Sequence, residues 1–119
     1  MMSNLKPLQG EIWLFDPDPV KGNEIGKKIR SAIIISNNFV NSGPSGLVFI
    51  VPLSSVDKGI ESHVRIDRAT GLSCVSFALC EQVRSISKNR LVKKLGKVAS
   101  RDILKEIRSW ILNLTHIHD

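Results

Sequence analysis

A chain of 119 residues with 42% hydrophobic content can support one domain with a modest core, and residues 1–119 are expected to fold as a single unit. Seventeen Lys and Arg against eleven Asp and Glu leave a formal charge of +6, which suits a polyanionic partner: nucleic acid, an anionic membrane surface or an acidic protein. Aromatic residues make up only 5% and Tyr is missing, which argues against a nucleic-acid binder that works mainly by stacking on bases.

The first ten residues, MMSNLKPLQG, contain no apolar signal-like run, and no segment reaches the roughly 18 apolar residues of a membrane span, so a soluble cytoplasmic protein is expected. Glu11–Phe15 predicts a short strand, stopped by the Asp-Pro-Asp-Pro run at Asp16–Pro19, where the prolines cannot donate to a ladder. A polar loop runs from Val20 to Ile29. Ala32–Ile35 and Leu47–Leu53 are continuous apolar, β-branched runs that predict strands buried on both faces, joined by a connection rich in Asn, Ser, Gly and Pro. His63–Ile66 predicts a weaker strand, Cys74–Leu79 a stronger one, and Gln82–Ile86 another after a bend. Cys74 and Cys80, if on one strand, would share a face with their Cα atoms about 20 Å apart, too far for a disulfide, so buried free thiols are expected. Near the end the period changes. Ile103, Leu104, Ile107, Trp110, Ile111 and Leu114 form one helical stripe, with Ser100 as N-cap and Asp102 in the first turn. Such a helix must cover an open sheet face or meet a partner. The whole predicts a mainly β protein, a compact antiparallel barrel or sandwich with a C-terminal helix.

Three segments, in order, resemble the MazF/PemK-like toxins. Gly10–Ser36 is similar to the family's opening: a Gly-Glu strand start, an Asp-Pro turn, then a Gly-x-Glu loop leading to an Arg before an apolar strand. Ile50–Ser55, IVPLSS, is similar to its second signature strand, which ends in Thr or Ser. Leu79–Leu91, LCEQVRSISKNRL, resembles the third, an acidic-Gln-x-Arg-Ser run followed by Arg-Leu. The resemblance implies a dimeric SH3-like barrel that cleaves single-stranded RNA sequence-selectively, without metal or other cofactor, and is inhibited by a small acidic antitoxin.

The chemistry can be stated from the residues. Cutting RNA without a metal needs the ribose 2′-hydroxyl to attack the adjacent phosphorus, a group to accept its proton, and donors for the non-bridging oxygens. Arg30, between a Gly-containing loop and an apolar strand, is the candidate catalytic cation, because a planar guanidinium can hold two phosphate oxygens. Ser54 occupies the family's hydroxyl position and is the second candidate catalytic residue, with Ser55 the alternative if the register is displaced by one. Candidate RNA contacts are Glu24, Lys27 and Lys28 in the loop, and Glu81, Gln82 and Arg84 after the Cys74–Leu79 strand. Gln82 can read base edges, and the match of Glu81 to the family's acidic position implies a base contact or proton transfer. Lys28 is the alternative cation should Arg30 prove misplaced. Each of these residues also has an ordinary reading as part of a surface charge network.

Arg84–Arg101 holds seven basic residues and no acidic one, which reads as a solvated face, an RNA-steering strip or a landing site for an acidic antitoxin. His116 and His118 show no metal-ligand spacing, and His63 reads as a surface residue heading a strand. Two readings compete: a protein-binding toxin on the same barrel, like the CcdB-like gyrase poisons, and a non-catalytic RNA-binding barrel. The chain departs from the family pattern in having Ser31 where a Pro usually follows the Arg, and in a loop one residue longer, with Ile29 as its apolar oddity.

Overall fold

The computed structural model describes residues 5–17, 29–67, 71–98 and 100–118. In chain order these form β1 (Glu11–Phe15), β2 (Arg30–Ile34), the short helix α1 (Asn38–Asn41), β3 (Leu47–Ser54), β4 (His63–Ile66), β5 (Ser76–Leu79), β6 (Arg84–Ser87), β7 (Leu91–Lys97) and helix α2 (Arg101–Leu114). Single 3-10 turns at Cys80–Gln82 and Lys88–Arg90 precede β6 and β7. Every strand pairing among the described residues is antiparallel, in the order β4-β5-β3-β2-β1-β7 with β6 also on β3. The fold is the expected one, mainly β with a C-terminal helix, although β4 and β7 end the described sheet without pairing to close it.

Alternation along the central strands separates two apolar clusters. Ile12, Ile33, Val51 and Leu53 lie on one face with Val64, Ile66, Ala78 and Cys80. Trp13, Phe15, Ala32, Ile34, Val48 and Ile50 lie on the other with Ile86 and Leu91. Helix α2 covers the first face. Its Ile107 is fully buried, and Ile103, Leu104, Trp110 and Ile111 rest against the same cluster, as their spacing predicts. Burying one such Ile contributes about 2 kcal/mol. Ser100 caps the helix, its hydroxyl accepting from the Asp102 N–H at 3.0 Å. Gly10 sits beneath it at φ +92°, where a Cβ would lie 3.2 Å from Leu104 Cδ1, so both backbone and space favour glycine there.

Several expectations need correction. β2 starts at Arg30, not Ala32, while Ile35 falls just past its end; Ile29 is half-buried immediately before the strand. β3 is buried on both faces only from Ile50 onward, since Leu47 and Phe49 are 38% and 43% exposed. β5 begins at Ser76, leaving Cys74 exposed in a bend; only Cys80 is buried. Burial, reinforced by the charges of Glu81 and Glu106, pushes the Cys80 thiol up to about 11. Gln82 belongs to the 3-10 turn and β6 starts at Arg84. That turn leaves the edge of β3 between the Leu53–Ala78 and Ile50–Arg84 pairs, beside Pro52, which has no N–H to offer a partner there. Strand β7 is hidden in the sequence by its lysines, a common composition for a sheet edge. No helix among the described residues is long and apolar enough to cross a membrane.

Candidate functional site

Strand register decides which candidate residues can act together. β2 and β3 pair Ile34 with Ile50 and Ala32 with Pro52; continuing that register by two residues brings Arg30 opposite Ser54. Cross-strand partners share a face. Arg30 and Ser54 therefore leave the sheet on the side of the Phe15–Ile34–Ile50 cluster, at its rim. Arg84 pairs with Ile50 and so points to that side too. On the next pairing outward, Ser54 faces Phe77, Phe77 faces Arg65, and Leu79 faces His63, which places His63 on the same side.

The local chemistry of each group suits contact with a polyanion. Arg30 is half-buried at the start of β2, its backbone anchored opposite Phe15. Ser54 is also half-buried, and its Oγ accepts the Val56 N–H at 3.1 Å. That bond uses a lone pair and leaves the hydroxyl hydrogen to donate, so the side chain both shapes the turn and can meet a phosphate oxygen. Ser55 is exposed one residue beyond the strand.

Glu81 and Gln82 are exposed on the 3-10 turn, as is Arg84 at the start of β6. His63 is not the surface residue its sequence context suggests. Its side chain is only 3% exposed, and Nε2 lies 2.8 Å from Glu81 Oε2. Nδ1 is buried with no hydrogen-bond partner among the described residues. A carboxylate can only accept, so in this contact Nε2–H donates to Glu81. Burial raises the Glu81 pKa, but the bonds from His63 and from its own backbone N–H, with the Lys58 charge, outweigh this and hold it below the usual carboxylate range. Glu24, Lys27 and Lys28 lie outside the described residues.

Other motif residues turn out to brace this arrangement. Glu11 is buried in β1; its Oε1 accepts the Leu8 N–H at 2.8 Å and Trp13 Nε1–H at 3.0 Å, while Oε2 receives Lys94 Nζ at 2.8 Å. Arg90 donates to the Pro17 carbonyl at 2.9 Å, and the Asp16 N–H donates back to the Arg90 carbonyl at 2.9 Å, tying the third motif to the Asp-Pro turn of the first. Lys88 Nζ donates to the Asn41 carbonyl. The basic run is thus not one solvated face: Lys88, Arg90 and Lys94 hold the protein together, and Arg84, Lys93, Lys97 and Arg101 stay exposed. A groove of about 580 Å³ lies elsewhere, between α2 and the Gly10–Ile35 end of the sheet, away from Arg30. Among the described residues, no three His, Cys, Asp or Glu side chains are grouped to hold a metal ion.

Fold and site together define a small antiparallel β protein with a guanidinium and a strand-end hydroxyl on one face. The family model of PemK-like, MazF-like toxins of type II toxin-antitoxin systems matches residues 8–115. The chain belongs to that family. It is 33% identical over 101 residues to Endoribonuclease MazF9 of Mycobacterium tuberculosis, spanning 80% of this chain and 85% of that protein. MazF of Deinococcus radiodurans has a similar structure, with TM-score 0.75 and 27% identity over 93% of this chain and 97% of that one. A MazE–MazF structure from the same organism gives TM-score 0.70 and 26% identity over 93% and 97%. These comparisons do not favour the gyrase-poison or non-catalytic readings.

Proposed function

We infer that this toxin is an endoribonuclease that cuts single-stranded RNA by attack of the ribose 2′-hydroxyl, without a metal ion. Membership of the family and the endoribonuclease relatives give the class of activity. The observation that carries the chemistry is the shared face of Arg30 and Ser54. In the reaction, the 2′-oxygen bonds to phosphorus as the bond to the 5′-oxygen breaks; the 2′-hydroxyl proton is released to solvent and the leaving 5′-oxygen takes one up from solvent, giving a 2′,3′-cyclic phosphate and a 5′-hydroxyl. Arg30 meets the charge on the non-bridging oxygens, and Ser54 donates to one of them or orients the attacking hydroxyl. Glu81 stays an acceptor-only carboxylate that accepts a hydrogen bond from the RNA; Gln82 and Arg84 flank it as base and phosphate contacts, with Glu24, Lys27 and Lys28 from the loop. Ser55 is a lesser contact.

The same reading includes a homodimer, a cytoplasmic location and an acidic antitoxin as partner. Leu112 and Leu114 on α2 and Ile117 beyond it are 58%, 47% and 81% exposed, apolar surface that a second copy or an antitoxin would cover. The MazE–MazF relative supplies the precedent for an antitoxin partner.

The test is to incubate the pure protein with a mixed-sequence RNA pool in excess EDTA and map the new 5′ ends. Cleavage at a recurring short sequence, leaving 5′-hydroxyl ends, is expected. Activity that disappears in chelator and returns with Mg²⁺ would contradict the mechanism.

A further inference from the structure

His63 has a cost that simple packing does not explain. Its ring lies 3% exposed among strand residues, with Nδ1 buried and without a hydrogen-bond partner among the described residues, in a place where Leu or Phe would strand no polar atom. What the imidazole adds is one bond, from Nε2 to Glu81 Oε2. Glu81 is the opposite case: its side chain is 40% exposed, on a 3-10 turn at a gap in the sheet edge, where a glutamate would otherwise sample many rotamers. The buried ring is fixed by β4 and β5, whose register sets His63 against Leu79, two residues before Glu81. The strand framework thus reaches out through one hydrogen bond to hold the carboxylate.

We propose that His63 is a positioning residue: it fixes the Glu81 carboxylate so that it presents an acceptor to a donor hydrogen of the RNA. This rests on the endoribonuclease reading above. The donor is either the 2′-hydroxyl or a base N–H, and the two are separable because the first governs turnover and the second governs which sequence is cut. Fixing Glu81 in advance removes the entropy of ordering a long side chain during binding or reaction, an effect on the order of ten-fold in rate or affinity.

The experiment compares His63→Leu, which fills the volume without a donor, and His63→Gln, which returns an N–H near the Nε2 position. Each is made alone and with Glu81→Ala, and assayed on the mixed RNA pool with thermal melting alongside. His63→Leu should lose about ten-fold in kcat/KM while melting no lower than wild type, because a buried polar nitrogen is replaced by an apolar side chain. His63→Gln should recover most of the loss. In the Glu81→Ala background, His63→Leu should cost nothing further. A fall in kcat with unchanged cut sites assigns the donor to the 2′-hydroxyl; relaxed cut sites with a raised KM assign it to a base. A His63→Leu variant that cleaves like wild type, or loses as much without Glu81 as with it, overturns the proposal. Loss of fold in His63→Leu with full rescue of fold but not activity by His63→Gln would also overturn it. Failure of the wild-type protein to cut RNA would overturn the functional reading itself, a different result from an indifferent His63.

Discussion

Arg30→Ala should lower cleavage by about 10²–10³, the loss typical of removing one transition-state donor. The melting temperature should move little, because the side chain lies at a strand end with its backbone pairing intact. Ser54→Ala should lose much more activity than Ser54→Thr, which keeps both the acceptor for the Val56 N–H and the hydrogen for phosphate. Single-turnover cleavage of a labelled RNA measures both. An Arg30→Ala protein that folds and cuts normally would reduce Arg30 to a surface cation. Arg30 and Ser54 stand out in the sequence through their match to the family's motif positions; the strand ends beside them say only where each side chain sits. His63 does not, since its meaning lies in a partner eighteen residues away across a strand pair and a turn. Glu11 belongs to the first motif, but nothing in the sequence says that Trp13, Leu8 and Lys94 converge on its carboxylate.

At the level of elements, Glu11 is what fixes edge strand β7 to β1 from the inside. Burial raises its pKa, but the bonds from Lys94, the Leu8 N–H and Trp13 outweigh this, and the folded value lies below that of the unfolded chain. The sign follows from that order. The contribution to stability is complete above the unfolded carboxylate pKa, near pH 4, and is lost as pH falls through the lower folded value. Glu11→Gln should therefore cost about 1–2 kcal/mol at neutral pH and flatten the acid limb of the melting curve, measured from pH 7 to pH 2. An acid limb that stays as steep would place the titrating group elsewhere. The C-terminal helix and the buried strands were legible because apolar residues recur at a helical or continuous period. β7 was not: Val92, Lys93 and Lys94 are all exposed, so the segment carries no apolar alternation to betray it. The strand at Ser76–Leu79 is shorter than the Cys74–Leu79 run suggests for a related reason, since Cys74 and Val75 are no more polar than its last residues.

Across the whole molecule, charge, fold and site agree. A net charge of +6 attracts RNA from a distance, but three of the basic residues in the Arg84–Arg101 run are committed to internal bonds, so contact must be made by a smaller set on a defined face. That face brings together residues from β2, β3, β4 and β6, which no local stretch of sequence could reveal, although the order of the motifs pointed to it. In the proposed mechanism this face cuts RNA with the substrate's own hydroxyl as nucleophile. The most direct measurement uses a synthetic RNA holding one mapped cleavage site, prepared with ribose or with a single 2′-deoxyribose on the 5′ side of the cut. The ribose strand should be cut in EDTA, and the 2′-deoxy strand should bind but stay intact at that bond. Equal cleavage of the two strands would contradict the mechanism.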